Sequence, residues 1–375
     1  MRFTTKRKWL SAMGAGSLVL LGTWGARAFA QNQAKPAAEA PKTAAQQYKN
    51  IQVLKDVPAD QLIPTMQFIA ASLGVECEFC HVEHEMQKDD KKPKQIARKM
   101  IEMELAINQG HFKNEIEVTC YTCHRGSEHP VGTPILSAEA VKPAAPEHQE
   151  GEEAQVKLPS ADQILDKYLT AVGGPTALMK IKTRVQKGTL QAGGMQYPIE
   201  VYSEAPDKRM SISHPQGGSS VTAFNGEVGW LSLGNRVHWM TEQEREAVRI
   251  DAELYFPAKV RELYKEFKVK PGEAVDGHAT YLVIAQATNL PPLQLYFDQS
   301  SGLLVRLMRF AQTPLGQNPT QIDYADYRVT DDVKIPYQWT LTRPNGSFTI
   351  KVEQVQTNVA IDPKLFVPPS EGKGQ

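Results

Sequence analysis

The chain has 375 residues, with 42 Lys+Arg balanced by 42 Asp+Glu. A nucleic-acid-binding surface needs excess basic residues, so this balance argues against nucleic acid as a partner. With 41% apolar and 22% charged residues, wholesale disorder is also excluded.

The first 30 residues have the layout of a cleaved export signal. A basic start is followed by an apolar centre over residues 10–26 and by the small-residue ending Ala28-Phe29-Ala30. The pattern predicts cleavage after Ala30 and a periplasmic protein. Membrane association stays open. An uncleaved anchor is the alternative, but the apolar run is shorter than the ~20 residues of a membrane span.

Composition divides the rest of the chain into four segments. Residues 31–47 and 136–159 are rich in Ala and Pro and poor in large apolar residues, so each predicts a linker. Residues 48–135 hold all four cysteines and five of the nine histidines, and predict a small α-helical domain. Residues 160–370 predict a mainly antiparallel, half-barrel-like β domain with some helix. The predicted fold class is therefore multidomain, α-helical and then α+β.

Within residues 160–370, turn residues separate short β-branched and aromatic runs. A helix is predicted at Ala161–Ala171, ended by Gly173-Gly174-Pro175, and a helical interlude at Thr241–Tyr255. Turn signals at Asn225-Gly226, residues 300–302 and Asn345-Gly346 favour antiparallel hairpins. The predicted strands are Tyr197–Ser203, Val221–Phe224, Tyr281–Ala285, Leu293–Phe297, Leu303–Phe310 and Phe348–Val355.

Two CxxCH motifs carry the chemistry of the predicted helical domain. The chain reads Cys77-Glu78-Phe79-Cys80-His81 and Cys120-Tyr121-Thr122-Cys123-His124, which together use every cysteine. This is the attachment pattern of covalent c-type haem, in which two thiols bond to the haem edge and the adjacent imidazole binds iron. We therefore predict two covalently bound haem c groups. The thioether anchors are Cys77, Cys80, Cys120 and Cys123, and the proximal iron ligands are His81 and His124.

Two other uses of these cysteines are weaker interpretations. A zinc site can be built from paired CxxC elements, but the 39 residues between Cys80 and Cys120 exceed the gap of zinc ribbons. Two local disulfides suit an exported protein but leave the following histidines unexplained.

A methionine precedes each motif on a segment with helical periodicity. The first segment runs from a predicted N-cap at Asp60 to a stop at Gly74, and places Met66 on its apolar stripe. Since a helix directly before the attachment loop can cover the haem, Met66 is the predicted distal ligand of the first iron. The stripe consists of Leu62, Met66, Ile69 and Leu73.

The second segment carries Ile96, Met100, Met103 and Ile107, a stripe that we expect to face inward. The pattern alone does not choose between Met100 and Met103 as distal ligand.

Three histidines are alternative distal ligands. His84 is three residues past His81 and therefore on the wrong side of the motif, whereas His111 and His129 stay open.

These residues resemble a known family. The run Val118–Gly126, preceded by Lys99–Met103 and Asn108, resembles the cytochrome subunit of photosynthetic reaction centres, and Asn50–Leu54 followed by Met66 and Cys77–His81 is similar to another haem segment of it. The resemblance implies that the first Met of the Lys-Met-x-x-Met element, Met100, is a distal ligand. It covers residues 48–135, with two motifs where the family typically has four.

The C-terminal part has a weaker resemblance. Phe224–Trp230 and Asp362–Phe366 are similar to outer-membrane lipoprotein-carrier proteins, which implies a β half-barrel.

We expect a periplasmic dihaem protein that passes single electrons between redox proteins of the periplasm or membrane and is not an enzyme. Its β domain would dock a partner or the cell envelope. One alternative is a peroxidase-like dihaem enzyme with one open iron. Another is an envelope protein whose β domain binds an apolar ligand or lipid and whose cytochrome senses redox state.

Overall fold

The computed structural model describes residues 42–130, 132, 158–215, 218–234, 236–288, 290–344 and 346–369. The predicted export signal, residues 1–30, and most of both predicted linkers lie outside the described residues. The described residues belong to one compact unit. The boundaries at 48–135 and 160–370 stay predictions.

Five helices make up the described N-terminal part. Their core contains Leu62, Phe68, Ile69 and Ile101, and it also takes in Leu315 from the C-terminal part. The core is small, so the two longer helices leave much apolar surface outside it. The helices are α1 (Ala44–Gln47), α2 (Ala59–Leu73), α3 (Cys77–Cys80), α4 (Lys92–His111) and α5 (Cys120–His124).

Helix α2 ends as predicted but begins earlier. Gly74 caps its C-terminus with φ of 66°, the left-handed conformation that favours glycine. Pro58 occupies the N-cap position and the helix starts at Ala59, so Asp60 lies in the first turn and the predicted N-cap was wrong. A carboxylate in the first turn still interacts favourably with the helix dipole.

Thirteen strands of the described C-terminal residues form one antiparallel sheet. Its spatial order is β6-β5-β4-β3-β2-β1-β13-β12-β11-β10-β9-β8-β7, so nearly all neighbours are joined by hairpins. The predicted fold class, a helical part followed by a mainly antiparallel β part, is confirmed. The strands are β1 (Thr183–Ala192), β2 (Met195–Glu204), β3 (Lys208–Ser213), β4 (Ser220–Asn225), β5 (Gly229–Leu233), β6 (Arg236–Trp239), β7 (Glu266–Pro271), β8 (Thr280–Ala287), β9 (Leu290–Asp298), β10 (Leu304–Thr313), β11 (Gly316–Thr330), β12 (Val333–Arg343) and β13 (Gly346–Thr357).

Four helices cover one face of the sheet: α6 (Ala161–Ala171), α7 (Gly174–Lys180), α8 (Glu242–Ala252) and α9 (Phe256–Leu263). Strand β9 shows why this face is buried. Side chains alternate along a strand, and Leu293, Leu295 and Phe297 all point to the helices. Helix α6 has the predicted bounds, because Ser160 caps it through a reciprocal pair of hydrogen bonds with Gln163.

All six predicted strands lie within observed ones or overlap them, and α8 lies within the predicted interlude. The strands that the sequence analysis missed are more polar, such as β1, β3 and β11. A short C-terminal 3-10 helix, Pro363–Phe366, packs Phe366 onto the opposite face of the sheet.

The buried face of the sheet generates the first testable prediction. Leu293 is fully buried between strand and helices, so Leu293→Ala should lower the free energy of unfolding by about 2–5 kcal/mol. Leu233→Ala, on a side chain that is 60% exposed, is the matched control and should change it by about 0.5 kcal/mol or less. Equal losses in chemical denaturation would contradict the described core.

Candidate haem-binding site

The first CxxCH motif forms helix α3 and presents its imidazole at the helix end. Cys77 is exposed and Cys80 half-buried, and both are free thiols. His81 follows the helix, and its Nδ1 lies 2.9 Å from the backbone oxygen of Met86. Because a carbonyl can only accept, Nδ1 must donate the proton, which leaves the lone pair on Nε2.

The second motif repeats this arrangement on helix α5. The Nδ1 of His124 donates to the backbone oxygen of Ser127 at 3.0 Å. Neither His81 Nε2 nor His124 Nε2 forms a hydrogen bond or ion pair with the described residues. A backbone carbonyl that holds Nδ1–H is the usual orienting partner of a metal-bound histidine. The residues present therefore fit a c-type haem at each motif, with Nε2 as the iron-binding atom.

A buried lysine reinforces the first imidazole contact. Lys94, on α4, is 9% exposed, and its Nζ donates to the same Met86 carbonyl at 2.8 Å and to the Lys88 carbonyl at 2.7 Å. The ammonium group thus fixes the turn that orients His81. A buried ammonium needs such acceptors, because its desolvation is otherwise costly.

Asp89 is the hub of the first haem-binding unit. It accepts two hydrogen bonds from Arg98, at 2.8 and 3.0 Å, and Lys94 lies 3.1 Å away. Asn50 and Gln52 also donate to it, at 3.0 and 3.2 Å. These donors, Arg98 first, hold the pKa of Asp89 well below its usual value. The hub ties the loop after α3 to helix α4 and to the segment before α2.

Asn108 and Glu104 support the second motif from helix α4. The Asn108 amide donates to the Val118 carbonyl at 2.6 Å and accepts from the Val118 amide at 3.0 Å, which fixes the chain just before Cys120. Glu104 is 4% exposed, and the Cys120 thiol donates to it at 2.9 Å. Burial, and then Glu104, raises the pKa of Cys120; burial also raises the pKa of Glu104.

The two units pack crosswise. Helix α2 contacts α5, and α4 contacts α3, so each long helix borders the attachment motif of the other unit. At the end of α2, the Gly126 amide donates to the Ser72 carbonyl at 2.9 Å, and a Cβ at Gly74 would collide with the Gly126 carbonyl. Glycine at position 74 therefore serves both the helix cap and this close approach.

The predicted distal ligands lie in different surroundings. Met66 is half-buried at the edge of the N-terminal core, on the expected stripe of α2. On α4 the outcome differs from the prediction: Ile96, Met100 and Met103 are 47, 38 and 47% exposed, so this stripe does not face the protein core. The side chains that α4 buries instead are Lys94, Ile101, Glu104 and Asn108.

The physical reason for this inversion is the set of polar contacts already described. Lys94, Glu104 and Asn108 each bond to the loops that carry the motifs, so the polar face of α4 packs against protein. These contacts turn the polar face of α4 towards the protein, and the apolar face is left exposed. Apolar side chains exposed in a row are a common feature of binding surfaces.

The alternative histidine ligands are on the surface. His84 is almost fully exposed beside Glu83, and His111 and His129 are exposed as well. In the part of the chain that the structure describes, no three His, Cys, Asp or Glu side chains cluster as a metal ion needs.

Sequence analysis missed the residues that orient the site, namely Asp89, Lys94, Arg98 and Glu104. A signal was present: a second helical stripe, Lys94, Ile101, Glu104 and Asn108, at spacings of 7, 3 and 4. The prediction for α4 rests on its apolar stripe alone, although this second stripe forms the packed face.

Two cavities are lined by described residues of the β part. The cavity between sheet and helices, next to Leu178, Ile181 and Arg184, measures about 10 Å³, roughly the space of one water molecule. A groove of about 300 Å³ at the β1–β2 and β12–β13 turns is open and mainly polar.

Comparison with known proteins confirms the resemblance of the haem-binding residues. Residues 22–192 match the family model of the photosynthetic reaction centre cytochrome C subunit. The cytochrome c subunit of the Thermochromatium tepidum photosynthetic reaction centre is 38% identical over 101 residues, 25% of this chain and 25% of that protein. The Roseobacter denitrificans subunit is 37% identical over 110 residues, 25% of this chain and 29% of that protein. The chain therefore spans about a quarter of the length of these relatives.

Solved structures align with about half of the chain. An outer membrane lipoprotein-sorting protein domain from Vibrio parahaemolyticus has a TM-score of 0.39 at 12% identity, covering 54% of this chain and 94% of that one. A LolA superfamily protein from Nitrosomonas europaea has the same TM-score and identity, covering 56 and 99%. No helix among the described residues combines the length and apolar character needed to cross a membrane.

The Asp89 hub makes the stability of the first unit depend on pH. The pKa of Asp89 is lowered on folding, so the hub stabilises the native state above the unfolded pKa of about 3.9 and this contribution is lost as pH falls below it. Asp89→Asn should therefore destabilise the protein at pH 7, and its difference from wild type should shrink below about pH 4.

Denaturant titrations at a series of pH values measure this effect. Asp90→Asn, at the adjacent exposed position, is the control and should follow wild type throughout. An Asp89→Asn protein as stable as wild type at pH 7 would show that the hub does not support the fold.

Proposed function

We propose that this chain is an exported dihaem c-type cytochrome that passes single electrons between redox proteins. The observation that carries the proposal is the uncovered apolar face of α4, with Met100 at its centre, beside two motifs whose imidazoles keep Nε2 free. A haem is a large apolar disc with an iron at its centre, so it matches both features. The partial match to reaction-centre cytochromes supports the same function.

Each haem would be held by four residues. Cys77 and Cys80 would form the thioether bonds of the first haem, with His81 and Met66 on its iron. When bound, the haem supplies a metal centre that changes by one electron between ferric and ferrous states. The contribution of the chain is to fix the imidazole plane through the Met86 carbonyl and to cover the haem edge.

The second haem would use the corresponding residues of the second unit, Cys120, Cys123, His124 and Met100. Met100 is preferred to Met103 because it matches the first Met of the family element, whereas both lie on the same exposed face. Attachment at Cys120 would remove the thiol proton that Glu104 now accepts. Glu104 would then lie beside the Cys120 thioether as a buried carboxyl group.

Closed irons favour electron transfer over catalysis. A thioether ligand fills the site that peroxide or oxygen would need, and it raises the reduction potential relative to a second imidazole. The crosswise packing of the two units brings both motifs into one small body, which suits electron transfer between the haems. The peroxidase-like alternative requires one iron without a protein sixth ligand.

Location and partners follow from the same proposal. The predicted signal over residues 1–30 would export the chain to the periplasm, where haem is attached to CxxCH motifs, with cleavage after Ala30. The redox partners would be proteins of the periplasm or membrane, with no nucleic acid among them. The solid core of the β part suits a docking surface for a partner or the envelope better than a lipid container.

Haem attachment is testable by mass. The mature protein, made in cells with haem-maturation machinery and then denatured, should retain the mass of two haems. The paired variants Cys77→Ala/Cys80→Ala and Cys120→Ala/Cys123→Ala should each retain one, and each serves as the control for the other. Wild-type protein with the bare polypeptide mass would reject the proposal.

Axial ligation is testable by potential and by gas binding. Met66→His should lower one of two midpoint potentials, because imidazole stabilises ferric iron more than a thioether does. Met66→Ala should open one iron to carbon monoxide in the reduced state, Met100→Ala the other, and Met103→Ala neither. Met179→Ala, at an exposed position in the β part, is the control. Rapid stoichiometric binding of carbon monoxide to reduced wild type would show an open iron and favour the enzyme alternative.

A further inference from the structure

The turn between β10 and β11 extends into the haem-binding part of the molecule. Leu315 at its tip is fully buried among Leu62, Phe68 and Ile69, so the core around α2 is completed by a residue from the sheet. The Thr313 hydroxyl donates to the Gly316 carbonyl at 2.7 Å and braces the turn. Strand β10 pairs with β9 up to Arg309, and β11 pairs with β12 from Gln321 onwards, so the hairpin that carries the turn is hydrogen-bonded on both sides at its base.

A hydrogen bond from β11 reaches helix α2 at Pro64, two residues before Met66. Asn318 is 7% exposed, and its Nδ2 donates to the Pro64 carbonyl at 2.9 Å across 254 residues of sequence. The Asn318 Oδ1 is buried and has no hydrogen-bond partner among the described residues. Burying this amide is costly, and the bond to Pro64 is the contact that compensates for it.

A steric contact from the same turn touches α2 two residues after Met66. Gly316 has φ of 148°, and a Cβ there would collide with the ring of Phe68. Phe68 is itself 8% exposed in the N-terminal core, so its ring has little room to move aside. The turn therefore contacts α2 two residues before and two residues after Met66, at Pro64 and at Phe68. At this spacing both contacts lie on the face of the helix opposite to the Met66 side chain, so they act on Met66 through the helix backbone.

We propose that Asn318 and Gly316 are positioning residues for the Met66 thioether, so that the β sheet sets the reduction potential of one haem. The proposal rests on the proposed function, in which Met66 is an iron ligand. The thioether–ferric iron bond is weak, and a small displacement of the helix that carries it weakens it further. Because a thioether favours ferrous iron, a weakened bond lowers the potential of that haem. The β part is then a structural element of the redox site as well as a docking surface.

The test uses the full mature holoprotein with two substitutions at the turn. In Gly316→Ala the new methyl group presses on Phe68, and in Asn318→Ala the bond to Pro64 is lost. Spectroelectrochemical titration should show one of two potentials lowered in both variants and the other unchanged. The near-red charge-transfer absorption of the Met–ferric iron bond should fall by up to half, since one of two haems loses its thioether contact.

Two controls separate positioning from general stability. Gly346 has φ of 137°, similar to that of Gly316, and a Cβ there would meet no atom within 4 Å. Gly346→Ala therefore adds backbone strain without touching α2. Leu293→Ala weakens the core between the sheet and helices α6–α9, which contains no residue of α2. Both should keep wild-type potentials, even where Leu293→Ala lowers the melting temperature more than Asn318→Ala does.

The double variants Met66→Ala/Gly316→Ala and Met66→Ala/Asn318→Ala complete the test. With Met66 absent, neither turn substitution should shift either potential further. If Met66→Ala opens one iron while both turn variants keep wild-type potentials and absorption, the positioning role is overturned and the proposed function stands. If Met66→Ala leaves both irons closed, both the ligand assignment and this inference are overturned. Should Gly316→Ala fail to fold, Asn318→Ala, which adds no atoms, decides the result.

Discussion

The haem-binding part of the molecule depends on which face of helix α4 packs against the protein. The face that packs is polar, because Lys94, Glu104 and Asn108 bind the loops of both CxxCH motifs. Their contacts orient the imidazole of His81 and fix the chain before Cys120. The apolar face, with Met100, is consequently left for a ligand. Polar contacts thus build the frame of the site, and apolar side chains are reserved for the proposed cofactor.

Hydrogen bonds join the two CxxCH units to each other. The Asp89 hub links the loop after α3 to α4, and the Gly126–Ser72 bond links the loop after α5 to α2. This reciprocity makes one body from two repeats, neither of which has enough core to be stable alone. Compactness at this scale is what single-electron transfer between two centres requires.

The sheet contributes to the same body. Its own core is solid, with Leu293 and Leu295 fully buried under the helices, and so it offers a rigid base rather than a container. From that base the β10–β11 turn inserts Leu315 beside α2. A rigid element that packs into a small core restricts the motion of its helices more than contact with solvent would. The proposed coupling between the sheet and Met66 follows because the sheet is larger and more rigid than the helical core that its turn enters.

Local features were predicted well because their causes are local. The bounds of α6 with its Ser160 cap, the Gly74 stop and the more apolar strands each depend on a few neighbouring residues. The orientation of α4 could not be predicted in this way, because an amphipathic stripe shows that a helix has two faces but not which partner each face meets. The contacts that decide the matter join distant segments, as the Asn318–Pro64 bond does across 254 residues. Periodicity therefore located the methionines, whereas only the folded chain determined what surrounds them.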